Sequence, residues 1–390
     1  MAIIKSRLNE RYQRLQSFRE RHAKAEIALF FAAGFLFDIL TLSRIDDLFT
    51  LVQQGLYLVV LAWLMLLDER YRAGVASPPP MLEKAWRFSE DVIHFLFGSL
   101  LSSFTLFYLK STSEISSLLF LSFICALLVA NELPGFRKRG PIIRFALLSL
   151  CATSYCALLL PILSGFLSKW LFVASVALSC AAGTWLVRLL IRWTGDSRSV
   201  LRRVAAPAVG MQALLVVAYF AGAIPPVPLS VQYIGIYHEI VPPGRAAEAA
   251  PSQAATLAGR APAGRTYQLK HLRPWWKVWH HGDQDFAARP GDLVYCFARI
   301  FAPNRFRDVV FMHWWLEGPN GKWLEQGRTP LTVTGGRGEG FRAFATKKNY
   351  RPGRWRVEIE LEDGRDMGVI HFNLRDDPSA GERTFAVDRL

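Results

Sequence analysis

Seven mostly apolar stretches, at about 25–42, 48–67, 91–109, 115–133, 142–163, 167–191 and 204–224, constrain this chain more than any other feature. A bilayer core is about 30 Å thick and takes about 20 apolar helical residues to cross. Each stretch is close to that length. Backbone polar groups find no water in lipid, so these stretches are expected as membrane-spanning helices. The fourth is the least regular, because Asn131, Glu132 and Pro134 close it early. The first follows a long basic lead and is followed at once by another apolar run. It therefore reads as an anchor rather than a cleaved leader.

The connecting segments differ sharply in charge. The N-terminus holds Lys5, Arg7, Arg11, Arg14, Arg19, Arg21 and Lys24. The second, fourth and sixth connections hold Arg70, Arg72, Lys84, Arg87, Arg137, Lys138, Arg139, Arg192, Arg198, Arg202 and Arg203, flanked by Arg144 and Arg188. The opposite connections hold only Arg44, Lys110 and Lys169. By the positive-inside rule the N-terminus is cytoplasmic, and seven spans place the C-terminus outside. Ile4, Leu8, Tyr12, Leu15 and Phe18 recur at helical spacing among the N-terminal arginines. They predict a basic amphipathic helix at 1–24, lying on the inner leaflet or packed on the bundle.

The net charge of +14 would suit a nucleic-acid partner, but its placement in alternate connections orients a membrane protein instead. The expected partner is the lipid bilayer, with no nucleic acid. Cys125, Cys151, Cys156 and Cys180 fall in apolar runs and Cys296 stands alone in the second half, which excludes an internal disulfide framework there. No cofactor and no metal site is expected from cysteine or histidine spacing.

Ionisable and polar residues within spans are the default functional candidates of a membrane protein. Here they are Asp38, Gln53, Gln54, Asp91, His94, Tyr155 and Gln212. Asp38 is near the outer end of its run, and Asp91 and His94 are one turn apart at the inner mouth of another. Arg144 and Arg188 can snorkel to the surface. The neutral polar residues serve as helix–helix glue more often than as a pathway.

After Ile224, Pro225, Pro226 and Pro228 end the last span. Residues 225–265 form an exit segment and an Ala/Pro-rich linker. Within it, the alternation around Val231–His238 suits a short strand or an interfacial segment. From 266 the pattern becomes short strands. Trp355, Val357, Ile359 and Leu361 alternate with Arg354, Arg356, Glu358 and Glu360, and an Asp363-Gly364 turn leads to a second strand, giving a hairpin. The runs at 293–301 and 309–316 are apolar on both faces. The expected fold class is a membrane α-helical bundle at 25–224 followed at 266–390 by an all-β immunoglobulin-like sandwich.

Phe297-Ala298-Arg299-Ile300-Phe301-Ala302-Pro303, His313-Trp314, Gly340-Phe341-Arg342-Ala343-Phe344 and Gly353-Arg354-Trp355-Arg356-Val357 follow one another in order. Together with Asp363-Gly364-Arg365 they resemble the bacterial domain of unknown function 2914, found at the C-terminus of multi-pass membrane proteins. The resemblance covers about 225–375. It implies a bacterial inner membrane and a periplasmic domain, and it brings no activity and no catalytic residue.

The candidate ligand-binding residues are His313, Trp314, Trp315, Arg342, Lys347 and Lys348. Trp314 and Trp315 must face opposite ways along a strand, so at most one is a surface platform. An exposed Trp beside Arg342, Lys347 and Lys348 would stack on a sugar or hold an anion. His280, His281, Asp283 and Asp285 read as a solvated loop rather than a metal site, and the Arg273–Trp279 stretch as an aromatic flank or a membrane-surface contact. No catalytic residue is expected. The chain is expected to bind an envelope protein or glycan through its β-domain, with the bundle as anchor or signal transmitter. The alternatives are a transporter or channel gated by the sandwich, and a membrane enzyme at the cytoplasmic face using Asp91 and His94.

Overall fold

The computed structural model describes residues 46–81, 83–86, 88–112, 115–132, 140–243 and 266–390. The expected N-terminal helix, the first apolar run with Asp38, and most of the linker lie outside the described residues. The described residues divide into two compact units: those within 1–109, 119–159 and 172–221 form one, and those within 110–118, 160–171 and 222–390 form the other.

Among the described residues the helices are α1 (Leu48–Arg72), α2 (Glu83–Trp86), α3 (Ser89–Lys110), α4 (Ile115–Glu132), α5 (Pro141–Ser164), α6 (Lys169–Thr194) and α7 (Ser197–Phe220). Five of them, α1, α3, α5, α6 and α7, are long and apolar enough to cross a membrane. The expected fourth run is α4, whose apolar part Ser117–Ala130 is shorter than a full span. Asp47 caps α1 by accepting the Thr50 N–H at 3.0 Å, and Arg70 and Arg72 complement the dipole in its last turn. A π turn at Leu201–Ala205 interrupts α7 just before Pro207. Proline has no N–H to give the preceding turn, so the ladder slips there by one residue.

Burial ranks the helices of the first unit. In α3, 72% of the apolar window is buried, against 22% in α6 and in α7. The inner helix accordingly carries the small hydroxyls Ser102, Ser103 and Thr105, all buried. The outer helices turn Val59, Trp63, Trp170, Trp185 and Val217 outward. Gly55 permits one close approach: a Cβ there would meet the Tyr155 hydroxyl at 2.5 Å. That hydroxyl donates to the Leu51 carbonyl at 3.2 Å.

Among its described residues the second unit contains three sheets. Their strand orders are β1-β5-β8, β4-β10-β9-β6-β7 and β11-β3-β2. The strands are β1 (Ser230–Tyr237), β2 (Glu239–Val241), β3 (Gln268–His271), β4 (Asp285–Ala288), β5 (Val294–Phe301), β6 (Arg307–Glu317), β7 (Trp323–Thr334), β8 (Phe341–Lys347), β9 (Gly353–Leu361), β10 (Asp366–Asp376) and β11 (Ala386–Arg389). Pairs are antiparallel except β4 with β10. The alternation after Pro228 thus takes the strand option: β1 and β2, before the expected boundary at 266, are strands of the β unit.

The β1-β5-β8 sheet and the five-stranded sheet share one apolar core. Cys296, Ala298 and Ile300 of β5 meet Met312 and Trp314 of β6 and Trp355, Val357 and Ile359 of β9 there. The opposite face of β5 is also buried, because Phe297 packs with Tyr237 of β1, Ile240 of β2 and Leu269 of β3. The run at 293–301 is apolar on both faces because its sheet has a core on each side. The β9–β10 hairpin closes through Gly364 at φ +83, whose N–H donates to the Leu361 carbonyl at 3.1 Å. Within this unit the Arg307 N–H donates to the Gly165 carbonyl at 2.7 Å, and Asp308 accepts the Leu167 N–H at 2.9 Å.

Candidate functional site

Period-two alternation gives the five-stranded sheet an outer face opposite the shared core. Register aligns Arg328, His313 and Glu358 in one row across β7, β6 and β9. The row on one side holds Glu325, Trp315, Arg356 and His371, and the row on the other side holds Phe311 and Glu360. This face is polar as expected, yet Glu358, Glu360 and His313 are buried in it. Long neighbours cover them. The Arg328 guanidinium lies 3.6 Å from the Phe311 ring centroid, and Arg356 lies 4.9 Å from that of Trp323.

Ion pairs run across this face. Arg328 Nε lies 2.7 Å from Glu360 Oε1, and Arg356 Nη2 lies 2.8 Å from Glu358 Oε1. Each ring nitrogen of His313 faces a carboxylate, Nε2 at 3.0 Å from Glu325 and Nδ1 at 3.3 Å from Glu360. The ligand atoms of His313, Glu358 and Glu360 lie within 4.8 Å of one another, close enough to share a cation. Both carboxylates already hold a guanidinium, so a divalent ion would have to displace two charge-assisted contacts. The arrangement suits a rigid, charge-matched surface better than a metal centre.

Farther along the same face, where Arg354 pairs with Asn373 and Asn373 with Asp285, lies a cleft of about 480 Å³. Trp276 and Trp279, from the β3–β4 connection, line it with Asp285, Arg354, His371 and Asn373. The two indoles meet edge to face with centroids 6.0 Å apart. A hydrogen bond from Lys277 holds the Asp285 carboxyl below its ordinary range. Burial, aided by Arg356 and Arg354, holds the His371 imidazole below its own.

The expected binding cluster divides. Trp314 is core, and His313 and Trp315 share the outer face with ring centroids 4.2 Å apart. Arg342, Lys347 and Lys348 belong to β8 and its end, in the β1-β5-β8 sheet. Arg342 pairs with Glu339, Lys347 donates to the Gln326 carbonyl, and Lys348 is exposed. Of the histidine–aspartate group, Asp283 is buried and accepts the Leu272 N–H, while Asp285 pairs with Lys277. The ion-paired carboxylates and the cleft were not among the sequence candidates. Their signal was the polar parity of 354–360, which does not disclose that the polar side is covered.

The intramembrane candidates do not converge on one cavity among the described residues. Gln212 donates to Ser149 Oγ at 2.8 Å, Thr153 Oγ1 at 2.7 Å and Ser179 Oγ at 2.9 Å, tying α7 to α5 and α6. Gln53 donates to the Tyr57 hydroxyl on its own helix, and Gln54 is buried. His94 is buried while Asp91 is exposed. Arg144 does not snorkel. It is buried, with Nη1 3.0 Å from Asp68 and Nη2 3.3 Å from Glu90, and Arg72 also reaches both carboxylates.

No curated protein matches the chain. Among solved structures, the Pseudomonas fluorescens alkylpurine DNA glycosylase AlkC bound to DNA containing an abasic site analog aligns over 74% of this chain and 72% of that one. The identity is 11% and the TM-score 0.20, too low for a shared fold to be read from it. The segment that builds β6 to β9 and most of β10 is matched by a family model, described as "Protein of unknown function (DUF2914)", over residues 307–374: the chain carries a DUF2914 domain.

Proposed function

We propose that this is a bacterial inner-membrane protein of seven spans, with a cytoplasmic N-terminus and a periplasmic β unit of immunoglobulin-like sandwich type. The outer face of the five-stranded sheet binds an envelope protein or glycan, and the helices anchor that binding unit or transmit its occupancy. The observation that carries this reading is the outer face itself. It joins pre-paired charges to a cleft lined by exposed indoles, and such a surface is ordered before any ligand arrives. The asymmetry of Lys and Arg between alternate connections supports the orientation.

Alkaline phosphatase and a fluorescent protein, fused after Leu229 and at the C-terminus, test the topology. Phosphatase activity without fluorescence is expected at both positions. The opposite result would place the β unit in the cytoplasm and remove the envelope ligand. A transport reading draws on the buried Asp68 and Arg144, with the exposed Glu90 beside them, because ionisable residues inside a bundle mark pathways. Its test is whether Arg144→Met combined with Asp68→Leu abolishes a solute flux while leaving the protein folded.

A further inference from the structure

The connection between β3 and β4 leaves an unusual amount of aromatic surface in water. Trp275 is 89% exposed, Trp276 51% and Trp279 64%. A contiguous exposed apolar patch on a folded unit marks a binding surface more often than chance. Two of these indoles, Trp276 and Trp279, form a wall of the cleft at the end of the five-stranded sheet, and Trp275 does not.

The cleft has a second, different wall. Asp285, Arg354, His371 and Asn373 supply a carboxylate, a guanidinium, an imidazole and an amide over one short stretch of sheet. These groups offer fixed acceptors and donors. β4, β10 and β9 hold them in register, through Asn373 opposite both Asp285 and Arg354. The Gln284 side chain donates to the His371 carbonyl at 3.1 Å, which ties the cleft floor together. The volume of about 480 Å³ lies within the ~300–1,000 Å³ of small-ligand sites.

A ligand that fits must bring a flat apolar face and a rim of hydroxyls at once. A pyranose does both: its C–H face stacks on an indole, while its hydroxyls pair with planar polar side chains. We propose that this cleft is a carbohydrate-binding site for a short oligosaccharide, with Trp276 and Trp279 as stacking platforms and Asp285, Arg354, His371 and Asn373 as the hydroxyl-reading groups. This rests on the reading that the β unit faces envelope glycans, and it selects glycan over protein as the occupant of the cleft.

The test uses the full chain in lipid nanodiscs prepared without glycoside detergent. Chitotriose, maltotriose and trigalacturonate, which represent N-acetylated, neutral and anionic sugars, are titrated by calorimetry. At least one is expected to bind, and Trp276→Ala and Trp279→Ala are each expected to weaken it by about tenfold. Trp275→Ala, on the same loop but outside the cleft, is expected to leave binding unchanged. All three indoles lie on an exposed connection, and an unaltered thermal midpoint confirms that the variants fold.

Absence of binding by all three sugars at about 10 mM overturns the proposal. So does an equal loss in Trp275→Ala. Quenching of these tryptophans by brominated lipid in the nanodisc would assign the loop to the bilayer surface instead. If the sugars fail while the phosphatase fusions report an external β unit, only the glycan assignment falls. If the fusions report a cytoplasmic β unit, the envelope reading falls with it.

Discussion

Replacing Asp283 by asparagine should invert part of the pH dependence of the β unit's stability. Asp283 is buried and accepts the Leu272 N–H with both oxygens, at 2.9 and 2.7 Å. Burial pushes its carboxyl up from 3.8 to about 6, against the lowering effect of the Leu272 N–H and of His271 and Arg273. Its other neighbour is His238, whose Nε2 lies 3.5 Å away and whose ring stacks on Phe286 at 3.9 Å. Burial, reinforced by Arg383 and opposed by Asp292 and Asp377, lowers that imidazole from 6.5 to about 4.

The signs follow from linkage. A carboxyl whose folded value is raised binds more protons in the fold, so stability falls as pH rises from 3.8 through about 6. For the imidazole the unfolded chain binds more protons, so stability rises from about 4 through 6.5. The two slopes oppose each other over nearly the same window. The Asp283→Asn substitution would remove the first and leave the second. At about 1.4 kcal/mol per pKa unit, the variant should gain on the parent by up to about 3 kcal/mol between acid and neutral pH. The carbonyl of the new amide still accepts the Leu272 N–H, so little should change below pH 3.8. The assay is urea unfolding of the full chain in detergent at stepped pH, read by hydrogen exchange in peptides covering β1 and β2. A stability difference that stays flat with pH would refute the reasoning.

Two further outcomes follow from the packing. Trp314→Ala, in the shared core, should cost about 3–5 kcal/mol, and Trp315→Ala on the outer face about 1 kcal/mol, both read as urea midpoints of the β unit. Equal costs would mean that the parity of β6 is wrong. Arg144→Ala should lower the thermal midpoint in detergent sharply, because a buried pair stripped of one partner loses about 3–5 kcal/mol. Arg144→Met combined with Asp68→Leu should recover most of that loss, and a failure to recover would assign the group a role beyond charge matching.

Local patterns were legible where they depend on neighbours in sequence. The parity of 354–361, the Gly364 turn and the both-faced run at 293–301 each follow from side-chain alternation, and each is present in β9, the hairpin and β5. What joins distant segments was not legible. Nothing near Val231 announces that β1 pairs with β5, or that β2, β3 and β11 form a sheet of their own. Asp68 was hidden for a different reason. The apolar run ends just before it, so it reads as loop, whereas the helix continues to Arg72 and carries Asp68 to Arg144. The outer-face candidates suffered from the same limit. His313 and Trp315 were found by residue type, but their carboxylate partners come from other strands.

The match at 307–374 has a consequence for what is inherited as against what folds. It encloses β6, β7, β8, β9 and most of β10, yet among the described strands β8 pairs only with β5, which lies outside it. Excised at those limits, the segment would be a four-stranded ladder carrying one orphan strand and half of an interior. The recognisable unit of descent is therefore smaller than the smallest piece that can close its own hydrogen bonds. A fragment meant to stand alone has to begin upstream of Ser230, at the point where the chain leaves its last helix.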